Sequence, residues 1–125
     1  MAVTYTTAVK TARMTAVRDA IDGGSGAGVL EIGTTGMGTV LATVTLSDPS
    51  GTVSGAVLTL SGMPHSDTSA DATGTAAAAR IRDSAGTDVI TGLTVGTSGT
   101  DIVLDSTSIT AGQTVTINSA TITHA

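Results

Sequence analysis

The chain has 125 residues, enough for one domain with its own core and no need of covalent staples. It contains no Cys, which excludes a disulfide framework and a Cys-ligated zinc site. With one Tyr, no Phe and no Trp, its core must be aliphatic, and it supplies no stacking platform for nucleic acid or carbohydrate; a net charge of -5 also argues against a nucleic-acid partner.

Residues 1–6 read as an extended arm. From about Thr7 to Ile21 the apolar residues follow a helical period: Val9, Ala12, Ala16 and Ala20 form one stripe, widened by Met14, Val17 and Ile21. Thr11, Thr15, Arg18, Asp19 and Asp22 take the opposite face. Thr6 or Thr7 suits the N-cap, and Gly23-Gly24 ends the helix. The glycine run from Gly23 to Gly28 reads as a hinge. It lacks the Lys-Ser/Thr of a phosphate loop, and it follows a helix where such a loop would open one. N-terminal arm, helix and hinge are thus set apart as 1–28, and residues 29–125 as the β domain.

Val29–Ile32 starts the β region. Val40–Leu46 alternates, with Val40, Ala42, Val44 and Leu46 on one face, and a turn over Ser47–Gly51, with Pro49 inside it, returns Val53–Leu60 as the expected antiparallel partner. Gly62–Thr75 is a polar excursion containing Pro64 and His65. Thr75–Arg82 is rich in Ala yet flanked by glycine and threonine, and it is read as a strand. In the last third, Thr97–Thr100 and Ala111-Gly112 are expected to close hairpins, Leu93–Val95 with Ile102–Leu104 and Thr107–Ile109 with Thr114–Ile117. Val115 and Ile117 fall on one face of the final strand, and Thr114, Thr116 and Asn118 on the other. The spacing predicts a mainly β protein, an antiparallel β-sandwich or barrel of seven to nine short strands with one N-terminal α-helix.

No stretch is apolar for long enough to span a membrane, and residues 1–13 lack the apolar core of a secretion signal. A nucleophile needs a base within reach, and the only imidazoles are His65 and His124; no Gly-x-Ser-x-Gly occurs. Asp101 and Asp105 share a strand face and Asp83 and Asp88 bracket a turn, but the dense oxygen pattern of a calcium loop is missing. No catalytic residue, metal ligand or cofactor is expected. Arg80 and Arg82 share a strand face, where they either pair with acidic residues of a neighbouring subunit or are solvated. Charged residues make up 12% of the chain, against about 25% in an ordinary domain. The stretches 32–47 and 106–125 carry none at all, which implies burial in the fold or in an oligomer.

Four phrases resemble small virion structural proteins of long-tailed bacteriophages. They are Tyr5–Met14 (YTTAVKTARM), Leu30–Thr34 (LEIGT), Gly92–Gly96 (GLTVG) and Val115–Thr123 (VTINSATIT). The resemblance implies a non-enzymatic capsid decoration (cement) protein, made in the host cytoplasm and sited in the virion, on the capsid surface. Its partners would be the major capsid protein and neighbouring copies of itself in a homo-oligomer, with no nucleic acid and no membrane. A tail-side connector, collar or fibre protein is the alternative, and a host-surface binding module the next. The contact residues expected are Tyr5, Lys10, Arg13, Met14, Val17 and Arg18 on the arm and helix, Arg80 and Arg82, and Thr121 and Thr123 on an uncharged C-terminal edge.

Overall fold

The structure is a computed structural model and describes residues 5–23, 26–47, 50–61, 63 and 65–123. Most expected strand positions are met, but the 62–75 excursion carries two short strands, the 53–60 run divides into a hairpin, eleven strands form where seven to nine were expected, and several pairings differ. Eleven strands follow helix α1 (Thr7–Ile21): β1 (Val29–Gly33), β2 (Val40–Thr45), β3 (Gly51–Ser54), β4 (Val57–Leu60), β5 (His65–Asp67), β6 (Gly74–Thr75), β7 (Ala78–Arg82), β8 (Asp88–Gly96), β9 (Ile102–Leu104), β10 (Ser108–Ile109) and β11 (Val115–Thr123). A 3-10 turn spans Thr35–Met37. The main sheet runs β2-β1-β7-β8-β9-β11-β4-β3, with β5 added on β11 and a small β10-β6 pair beside it. The sheet curls into a half-barrel, so the fold is mainly β with one N-terminal helix, as the spacing predicts.

The core is aliphatic. Leu30, Ile32, Leu41, Leu58, Ile81, Ile102 and Ile117 are fully buried, and Met14 and Ile21 of α1 belong to the same cluster. Small side chains such as Ala79 and Ala42 let layers close on one another where rings would not fit.

Strand pairing is where local pattern and tertiary structure part. β2 pairs with β1, Leu30 opposite Val44, and the return segment 53–60 forms its own hairpin, β3 with β4, turning at Gly55 with φ +59°. The turn at 47–51 includes residues 48 and 49, which lie outside the described set. Leu93–Val95 and Ile102–Leu104 do not form a hairpin: β8 and β9 run parallel, Val95 beside Ile102. Asp101 causes this. Its Oδ2 accepts from the Thr94 amide at 3.0 Å and the Thr94 hydroxyl at 3.1 Å, and its own amide donates to Thr94 Oγ1 at 3.0 Å, so the chain loops through 97–100 and re-enters in the same direction. The second expected hairpin is replaced too, because β10 pairs with β6 and leaves β11 to other partners.

β11 has three partners: β9 on one side, and β5 and β4 in succession on the other. Its alternation holds for Val115 and Ile117, then a bulge between Ile117 and Ser119 shifts the phase so that Ala120 and Ile122 also turn inward. The uncharged C-terminal segment is therefore an interior strand of the sheet. Its lack of charge reflects burial within the fold, and it supplies no docking edge.

The open side of the half-barrel lies between β2 and β5. Asp67 Oδ2 accepts the Thr43 amide at 2.9 Å, and the Asp71 amide donates to the Leu41 carbonyl at 2.7 Å. Side-chain and loop bonds thus occupy backbone groups of β2 that a further strand would otherwise take.

Candidate contact surface

Helix α1 forms where the sequence places it. Thr6 caps it, accepting from the Val9 amide at 3.3 Å, and Asp22 closes it. Only the widening part of the expected stripe faces the core. Met14 (2% exposed) and Ile21 (0%) point into the core with Val17 packed beside them, whereas Val9, Ala12, Ala16 and Ala20 all face out. Two polar contacts lock this rotation. The Thr11 hydroxyl donates to the Gly55 carbonyl at 2.7 Å, and Asp22 Oδ1 accepts the Ser50 amide at 2.8 Å. The Met14–Ile21 face wins because a long apolar side chain buries far more surface than a methyl group does.

The expected contact residues consequently separate. Met14 belongs to the interior and is not available to a partner, and Val17 is half-buried against the core. Tyr5 is 42% exposed, with the Arg13 guanidinium 4.8 Å from its ring centroid, a cation–π contact on the outward side of the helix. Lys10 and Arg18 are half-buried at the flanks, and Arg18 Nη2 lies 3.5 Å from Asp19 Oδ1. Thr121 is half-buried and Thr123 exposed on β11, which pairs with β4 there.

Arg80 and Arg82 find their acids in their own chain. The β1–β7 register sets Glu31 opposite Arg80 on the outer face, and Arg80 Nε binds Glu31 Oε1 at 2.6 Å. Arg82 Nε binds Asp88 Oδ1 at 2.7 Å and lies 3.5 Å from Glu31 Oε1. The hydrogen bond to Asp88 raises the Arg82 pKa, burial lowers it, and the charges of Glu31 and Asp88 raise it further, for a net increase. Glu31 escaped the sequence reading, although a sole glutamate between two buried residues, Leu30 and Ile32, was a signal that something across the sheet neutralises it.

Beside this network lies a groove of about 390 Å³ whose lining includes Met37, Ala77, Ala78, Arg80 and Leu93. Among the described residues, Met37 is the non-glycine residue with positive φ, +58°, directly after Gly36 at +67°. Its thioether packs over Gly33, where a Cβ would lie 3.0 Å from the Met37 methyl and 2.6 Å from the Thr39 carbonyl oxygen.

Several other polar groups serve turns and loops. Asp83 Oδ1 accepts the Ala85 and Thr87 amides, and Asp105 Oδ1 accepts Asn118 Nδ2 at 2.6 Å. His65 Nε2 lies 3.1 Å from the Ser61 carbonyl and 3.4 Å from Ser47 Oγ. A carbonyl only accepts, so Nε2 carries the proton there and offers no lone pair to the Ser47 hydroxyl. His124 lies outside the described residues. Among the described residues, no three His, Asp or Glu side chains converge as metal ligands, and no helix is long and apolar enough to cross a membrane. Comparison of the chain with protein-family models, with curated proteins and with solved structures found no match.

Proposed function

We propose that the chain is a non-enzymatic structural protein of a bacteriophage particle, a capsid decoration protein that binds the major capsid shell and neighbouring copies of itself. The observation that carries this reading is the rotation of α1: the helix is anchored through Met14 and Ile21 and holds Tyr5, Val9, Ala12, Ala16 and Ala20 toward the outside. Apolar area held out on a rigid body acts as a contact element, and a cement protein works by small contacts multiplied through particle symmetry. The resemblance of four phrases to small virion proteins of long-tailed phages supports the particle context of this reading. Arg80, Arg82 and the C-terminal strand drop out as contacts in this reading, since the first two are paired internally and the third lies inside the sheet.

Immunogold electron microscopy of purified particles, with antibody against this chain, tests the assignment. Dense label over the head is the expected result. Label restricted to neck or tail would transfer the protein to a connector or fibre role, and absence of label from intact and opened particles would remove the virion reading.

A further inference from the structure

We infer that Asn118 is a modification site: it deamidates spontaneously in the folded protein, and the product loosens the seam between β9 and β11. Asn118 is the one Asn of the chain, and it is followed by Ser119, whose small side chain leaves its own amide unshielded. Position in the sheet does the rest. Along β11, Val115–Ile117 pair with β5, then Ile117, Ser119 and Ala120 with β9, and Thr121–Thr123 with β4. Asn118 alone of these nine residues stands opposite no residue of another strand. An unbroken ladder fixes each peptide unit and keeps the following amide away from the side chain before it, whereas the extra residue of a bulge is not held in this way. Asn118 and Ser119 are both exposed, so water reaches the link between them.

The reaction needs no reagent other than water. The Ser119 amide nitrogen attacks Cγ of Asn118, the new N–Cγ bond closes a five-membered cyclic imide, and the Cγ–Nδ2 bond breaks. Nδ2 leaves as ammonia, with the proton that the Ser119 amide gave up. Water then opens the ring at either carbonyl. One opening leaves an aspartate on an unchanged backbone; the other leaves an isoaspartate, whose main chain runs through the former side chain and is one carbon longer. Asp105, the residue after β9, governs both rate and result. Its Oδ1 accepts from Asn118 Nδ2 at 2.6 Å, a charge-assisted bond that ties down the group that must leave. Once the amide is hydrolysed, two carboxylates face each other where donor met acceptor, and the bond that joined the strands becomes a repulsion.

The test is incubation of the purified full chain in warm, mildly alkaline buffer, folded and in urea, with digestion and mass spectrometry at intervals. A gain of one mass unit, located at Asn118 by fragmentation and divided between the two isomers, is expected. The folded chain should react within about tenfold of the unfolded one, because the site opens at little cost. Asp105→Ala should speed the reaction of the folded chain by about threefold or more, since the tether is lost. For the consequence, Asn118→Asp should unfold at a lower urea concentration than the parent. Combining it with Asp105→Asn restores donor and acceptor in exchanged places and should recover the midpoint. The inference is overturned if the folded chain reacts more than about tenfold slower than the unfolded one, or if Asp105→Ala reacts no faster than the parent. It is equally overturned if Asn118→Asp is as stable as the parent, or if the double exchange fails to recover stability. None of these readouts involves a particle or the outward face of α1, so their outcome is independent of the virion reading.

Discussion

At Gly28 the backbone leaves no room for a side chain. A Cβ there would lie 2.6 Å from Ile21 Cγ2 and 2.8 Å from the Arg82 carbonyl oxygen, closer than real Cβ contacts come, whereas nothing lies within 4 Å of a Cβ at Gly26. Gly28→Ala should therefore cost about 2 kcal/mol by overpacking and Gly26→Ala close to nothing, compared by urea unfolding midpoints. The pair separates a glycine needed for close approach from one that is merely in the same run, a distinction invisible in the sequence. Glu31→Gln keeps the shape but removes the charge opposite Arg80; with side-chain exposures of 16% and 22% the pair is only partly screened, so a loss of about 1 kcal/mol is expected. That loss should shrink in high salt. Arg82 contributes differently with pH. Its folded pKa is raised, so its stabilisation is fully present below the unfolded value and is lost only as pH climbs through the folded one, well into the alkaline range. Unfolding curves between pH 6 and 9 should show no loss from this group.

Among the elements, β11 carries the sharpest prediction. Its inward residues are Val115 and Ile117, then Ala120 and Ile122, and the extra residue at the bulge reconciles the two phases. Deleting Asn118 leaves an unbroken alternation of the same four residues, so this variant should stay soluble and unfold cooperatively, losing the Asn118–Asp105 bond. Deleting Asn118 and Ser119 together turns Ala120 and Ile122 outward and should abolish the fold, read as loss of dispersed amide signals by NMR. Element positions were legible because β-branched runs and glycines mark them locally. The direction of α1 was not. Ala12, Ala16 and Ala20 count as apolar on any scale, but burying a methyl yields little, and the rotation is decided by Met14, Ile21 and by bonds to Gly55 and Ser50 that are distant in sequence. The parallel course of β8 and β9 was hidden for a similar reason. It depends on one aspartate reaching back to Thr94, and Gly99 alone suggests an ordinary hairpin turn.

Across the whole molecule, solubility depends on how the ends of the curled sheet are covered. β2 closes one end, and Asp67 takes the amide of Thr43 that an incoming strand would otherwise use. Asp67→Ala should speed hydrogen exchange at the Thr43 amide by about tenfold or more, and should raise concentration-dependent aggregation while leaving most of the β structure in place. The candidate contact surface was half legible. Tyr5 and Arg13 were marked by the N-terminal phrase, whereas the internal partners of Arg80 and Arg82 required the β1–β7 register, which no local pattern encodes. The three-way pairing of β11 also fixes when this protein can exist. β4, β5 and β9 are all made before it, and each of them lacks a sheet neighbour until residues 115–123 have been synthesised. A nascent chain paused before that point holds three unmatched strand edges with few charges to keep them apart. Closure of the sheet then waits on a single strand, and the unfinished chain must be sheltered until β11 arrives.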